Sequence, residues 1–133
     1  MIYDPREPRD RLSDMSDSRF PKSVYGVGEE PDPRFSLANE RTFLAWIRTS
    51  LALVAVGVAI EALAVPIHAP LRFIAAILFI LLGLISAGYA WLSWSRTERA
   101  LRLARALPGL AIGAVLVAGL VLAVIVVVIG MFL

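Results

Sequence analysis

Arg34, Glu40, Arg41 and Arg48 lie in the run RFSLANERTFLAWIRTS, which passes without a break into the apolar stretch LALVAVGVAIEALAV. One continuous segment thus carries three guanidinium groups and a carboxylate into or beside a membrane. An arginine at the middle of a spanning helix costs about 2.5 to 3.5 kcal/mol, so ionisable groups at depth face a protein interior or a hydrated path. The chemistry open to such a set is contact with anions. At about 100° per residue, Arg41, Ala45, Arg48, Ala52, Ala55, Ala59 and Ala62 fall on one narrow stripe of a helix. That stripe has two readings. Alanines let neighbouring helices approach while the arginines snorkel to phosphate headgroups. Alternatively, the stripe faces the axis of a homo-oligomer, where symmetry repeats each arginine into a ring of the kind that lines anion pores. Three helices are too few to enclose an aqueous path, so any pore must be an assembly.

The elements that carry these residues follow from composition. Of the 133 residues 59% are hydrophobic, and the mean hydropathy is +0.76. The apolar residues come in blocks. Spans are predicted over about 43–65, 73–94 and 110–133, each near the ~20 residues that cross the hydrocarbon as a helix. The third block has no charged residue and cannot be a surface helix in water. The fold class is therefore an all-α membrane protein with three transmembrane helices, a multi-pass protein of the cell (inner) membrane. The first of them is predicted to start near Ser36, as N-cap after Pro33. Residues 1–33 mix both charge signs with Pro, Gly and Ser and read as a disordered acidic tail; residues 34–133 form the membrane domain. No cleavable leader is expected, because the first apolar run is too long for one. Without cysteine there is no disulfide or thiolate chemistry.

Charge sets the orientation. The tail has five basic and eight acidic residues, whereas the remainder has eight arginines against Glu40, Glu61 and Glu98. Arg34, Arg41 and Arg48 flank the first span, and Arg96, Arg99, Arg102 and Arg105 fill the segment between the second and third. The opposite side has only Arg72. The positive-inside rule places the N-terminus inside and the C-terminus outside, and Trp46, Trp91 and Trp94 fall at the same cytoplasmic boundary.

Several residues read as structural. Gly83 and Ser86, like Ala45, Ala52 and Ala55, have helix-packing spacing, and Gly109 with Gly113 makes a GxxxG pair. Glu61, near the outer end of the first span, needs water or a partner, with Arg72 and His68 the candidates across the turn. His68, between Pro66 and Pro70, reads as a turn residue and not a metal ligand. The arginines of WSRTERALRLARALP step by three and spiral around a helix; their plain reading is topology and attraction to anionic lipid. No phosphate-cradling glycine loop, HExxH pair or GxSxG elbow is present, so no enzyme activity, metal or cofactor is expected. The basic residues and tryptophans sit at membrane boundaries, which argues against nucleic acid as a partner.

The run DPRFSLANERTFLAWIRTSLAL, with its ANERTFLAW core at Ala38 to Trp46, resembles the signature of the YidH-like small three-helix bacterial inner-membrane proteins. The resemblance extends over about residues 32–133. It reaches the membrane domain of the eukaryotic vacuolar transporter chaperone complex, which makes and translocates polyphosphate. What it implies is a pentameric channel with the first helix lining the path and basic rings contacting the polyanion. By position, Arg34, Glu40, Arg41 and Arg96 correspond to the family's charged positions; Arg48 is added by periodicity alone. The polymerase and phosphate-sensing domains of that complex have no counterpart here, so synthesis of the polymer is not expected.

Two functions from different classes follow. One is a homo-oligomeric channel or translocation subunit for anions such as polyphosphate. The other is a non-transporting scaffold or accessory subunit, whose arginines hold anionic lipid and whose small faces bind another membrane protein.

Overall fold

The computed structural model describes residues 19–109 and 112–133. Its elements are all helical: α1 (Lys22–Tyr25), α2 (Pro33–Ala62), α3 (Ala69–Arg102) and α4 (Gly113–Phe132). The last three are long and apolar enough to cross a membrane. At 1.5 Å per residue α4 is about 30 Å long, a match to the hydrocarbon, whereas α2 and α3 approach 45 to 50 Å. The turn joining them is short, so their excess length extends through the headgroup layer at the arginine-rich end. By the positive-inside rule that end is cytoplasmic.

Helix α2 starts earlier than the sequence suggests. Asp32, not Ser36, is the N-cap: its carboxylate accepts a hydrogen bond from the Arg34 backbone N–H at 2.9 Å. Pro33 occupies the first helical position, where its fixed φ costs nothing. Both α2 and α3 end in a Schellman motif with an alanine in the left-handed conformation. At Ala64 (φ 46°) and Ala104 (φ 49°) the chain reverses, with Val65 N–H returning to Ile60 O and Arg105 N–H to Ala100 O. The arginine-rich segment after the second predicted span is helical as far as Arg102.

Helix α3 lies between α2 and α4, which share no backbone contact with each other among the described residues. The α2–α3 seam is built from small groups. A methyl group built on Gly57 would stand 2.7 Å from the Ala76 carbonyl oxygen, and one on Gly83 would stand 2.8 Å from that of Ser50. Ser50 Oγ donates to Gly83 O at 2.5 Å, and Ser86 is buried beside it. Gly83 and Ser86 therefore occupy a helix contact, as their spacing suggests. On its other side α3 receives α4, with Leu82 against Gly119, and Phe79, Leu82 and Ala123 form the buried cluster. His68 N–H donates to Gly130 O at 2.9 Å, fastening the outer end of α4 to the α2–α3 turn.

The Gly109/Gly113 pair does not form a helix contact. Gly109 lies in the loop, Gly113 is the first residue of α4, and a Cβ built on either would meet nothing within 4 Å. Pro108 and the loop displace the helix start, so the two glycines never share a helical face. The predicted tail also differs from the structure in part. Residues 1–18 lie outside the described residues, but residues 19–32 pack on the end of α3, with Val24 buried.

The close seam makes a stability prediction. Gly83→Ala would place its methyl 2.5 Å from Val54 Cγ2 and should destabilise the hairpin by about 1 to 3 kcal/mol. Gly88→Ala, which meets nothing within 4 Å, should be neutral or gain about 0.5 to 1 kcal/mol. Thermal unfolding in detergent, followed by circular dichroism, distinguishes the two.

Candidate functional site: a basic helix face and the latch behind it

On one side of α2 the family-like ANER run performs a structural task. Asn39 is buried, and its Nδ2 donates to Trp94 O at 3.1 Å and to Glu98 Oε2 at 3.2 Å. One turn earlier, Ser36 Oγ donates to Glu98 Oε1 at 2.8 Å. Glu98 is only 3% exposed, and an unpaired carboxylate there would be costly. Arg102, one turn along α3 and also buried, places Nε 4.0 Å from Glu98 Oε1. That Nε has no hydrogen-bond partner among the described residues, so the pair is a charge contact and not a hydrogen bond.

The segment before α2 completes this latch. Glu30 Oε1 is 3.6 Å from Arg102 Nη2 and 2.9 Å from Arg19 Nη2, giving an alternating chain Glu98, Arg102, Glu30, Arg19. The outer pair is well exposed and contributes little. The Tyr25 ring lies between two guanidiniums, 4.8 Å from Arg19 and 4.7 Å from Arg102. Glu29 N–H donates to Arg102 O at 3.2 Å. Gly28, at φ +67°, lets this strap lie against the end of α3: a Cβ there would overlap the Arg102 carbonyl. Burial, followed by the nearby Glu98 carboxylate, pushes the Tyr25 phenol above its usual 10.0.

The opposite side of α2 is bare. Asn39, Ser50 and Gly57 point to α3, and the helical period places Arg41, Ala45, Arg48, Ala52 and Ala55 about half a turn away. All five are exposed. Because α2 is continuous from Pro33, Arg34 joins this face: Arg34, Arg41 and Arg48 repeat every seven residues, roughly 10 Å apart along the axis. None has an ion-pair partner among the described residues. Ala45, Ala52 and Ala55 thus make no helix contact within one chain, unlike Gly83 and Ser86. Arg48 is half a turn beyond Trp46, whose ring packs edge-on against Tyr89, so its guanidinium can snorkel to the headgroup layer.

Between the bare face and α4 runs an open groove of about 570 Å³, lined by Arg41, Thr42, Ala45, Trp46 and Thr49 on α2 and by Leu116 and Val117 on α4. Glu40 lies on the flank nearer the strap, beside Ser36 and Glu98. Arg96 is exposed on α3 and does not join the α2 face; it borders a separate hollow with Arg99 and Arg105. At the other end of the molecule Glu61 Oε2 meets Arg72 Nε at 3.2 Å, and His68 serves the turn through its backbone.

Sequence reasoning overlooked Ser36, Asn39, Glu98 and Arg102 as a set. The signal was available: Glu98 and Arg102 are four apart, and Asn39 is the one amide in a run that must pass the headgroup level.

Two measurements follow from the latch. Asn39→Leu removes a donor from the buried carboxylate and should cost about 1 to 3 kcal/mol in thermal unfolding in detergent. The raised Tyr25 pKa means that the docked strap holds the phenol neutral. Its contribution is therefore complete below pH 10.0 and lost as pH rises past that value. A fluorescence titration of Trp94, whose ring lies 6.4 Å from that of Tyr25, should show an alkaline transition that is missing in Tyr25→Phe.

Comparison with known proteins places this architecture. Residues 34–100 match the family described as Domain of unknown function (DUF202), which spans α2 and nearly all of α3. The chain is 47% identical over 88 residues to Inner membrane protein YidH of Escherichia coli strain K12, covering 64% of this chain and 75% of that protein. It is 39% identical over 74 residues to an uncharacterised protein of Mycobacterium tuberculosis H37Rv, covering 55% of this chain and 61% of the other. No solved structure matches. Three membrane-spanning helices and an inner-membrane relative make it a multi-pass protein of the inner membrane. The chain belongs to the DUF202 family, among its YidH-like members.

Proposed function

We propose that this protein is a subunit of a homo-oligomeric membrane conduit for anions, with phosphate chains such as polyphosphate as the substrate class. The observation that carries this reading is the bare face of α2. It presents three arginines at heptad spacing, followed by alanines to the outer end, directly opposite the seam that fastens α2 to α3. A helix held firmly on one side and left small and basic on the other suits packing around a shared axis, where each arginine is repeated into a ring. Below Arg48 the stripe is all alanine, narrow in side chain and without charge, so an anion would meet its strongest contacts at the cytoplasmic mouth and weak ones beyond. That pattern allows passage without trapping. The similarity of the ANERTFLAW run to the membrane domain of the vacuolar transporter chaperone complex supports phosphate chains as cargo and a pentamer as the assembly. In this reading the protein is not an enzyme, and the latch and strap hold α2 at a set angle.

The competing reading is a scaffold whose arginines all rest on anionic headgroups. Native mass measurement in lipid nanodiscs, with anion efflux from proteoliposomes, decides between them. The conduit reading expects a defined oligomer and a flux that falls at least about tenfold in Arg41→Gln/Arg48→Gln while the oligomer persists, roughly the loss of two charge contacts. A monomer, or flux untouched by those substitutions, would refute it.

A further inference from the structure

The hollow bordered by Arg96, Arg99 and Arg105 is assigned no part in the conduit. It owes its shape to the end of α3. The Schellman reversal at Ala104 sends Arg105 N–H back to Ala100 O at 2.9 Å. The chain after the helix therefore returns alongside the two preceding arginines instead of continuing away from them. The three residues border an open hollow of about 270 Å³ together with Ala100, Leu103, Ala106 and Pro108.

Basic residues at a helix C-terminus commonly serve its free carbonyls. Here the backbone already does so: Leu103, Ala104 and Arg105 N–H groups donate to Arg99, Leu101 and Ala100 carbonyls. Among the described residues the three guanidiniums make no side-chain hydrogen bond and no ion pair. No carboxylate borders the hollow. Glu98, the one acid within reach along the helix, is turned inward and held by Ser36 and Asn39. Three forked donors thus border one hollow, with Arg96 and Arg99 within about a turn and a half of Trp94 along α3, near the level of the headgroups.

We infer that Arg96, Arg99 and Arg105 form a binding site for a phosphate group, either the headgroup phosphate of an anionic lipid or a soluble polyphosphate. It is separate from the α2 face and does not depend on conduction. In nanodiscs of mixed phosphatidylglycerol and phosphatidylcholine, native mass spectrometry should find phosphatidylglycerol retained by the wild-type protein. Retention should fall roughly fivefold in Arg99→Gln and well over about tenfold in the triple glutamine variant. Lys22→Gln, an exposed basic residue outside the hollow, should retain it unchanged. Inorganic tripolyphosphate added in detergent provides the second arm. Retention of tripolyphosphate but not of lipid, lost in the triple variant, identifies a soluble phosphate as the ligand. Equal losses in Lys22→Gln and the triple variant, or no difference between wild type and the triple variant for either probe, would overturn the site.

Discussion

The carboxylate of Glu98 is the group around which the cytoplasmic half is organised. A buried negative charge at the membrane boundary must be satisfied, and the chain satisfies it from two directions, Ser36 and Asn39 on α2 and Arg102 on its own helix, while Glu30 of the strap shares Arg102 from the other side. These demands fix the height and rotation of α2 against α3. They also explain why the ANER run is polar where a spanning helix would otherwise turn apolar. The amide enters the latch, while its neighbours Glu40 and Arg41 are left to the flank and to the open face.

Much of the architecture was readable from residue order. Long apolar blocks and a charge-free third block are bulk properties that survive any detail of packing, so span number follows from them. What escaped were features set by geometry beyond the helix period. The cap at Asp32 depends on proline taking the first helical position, which periodicity does not register. The burial of Glu98 and Arg102 depends on partners more than fifty residues away in the chain, and a step of three between arginines gives no hint of which one turns inward. The short helix Lys22–Tyr25 lies in a segment whose composition says tail; it holds because two guanidiniums clasp one aromatic ring.

The two sides of α2 are divided sharply in character. Toward α3 the helix uses Ser50 and Gly57 to bring backbones together, a dispersion-rich contact that lipid cannot imitate. Away from α3 it keeps alanine and arginine, which within a single chain have nothing to meet. Helix α4 leaves most of its surface open as well, and among the described helices its backbone comes close only to α3. A bundle whose outer members share no close backbone contact is an arc with two open faces, and the proposed assembly rests on that shape.

The attachment of α4 is uneven along its length. Gly130 at the outer end is clasped by His68 and Ile67 of the turn and by Leu71, and Gly119 rests on Leu82, but a Cβ on Gly113 at the inner end would meet nothing. The helix is thus held from Gly119 to Gly130, and only the stretch before Gly119, about 9 Å long, is lightly attached. That lightly held end borders the groove beside Arg41, so one wall of the opening is formed by the least anchored turn of the bundle.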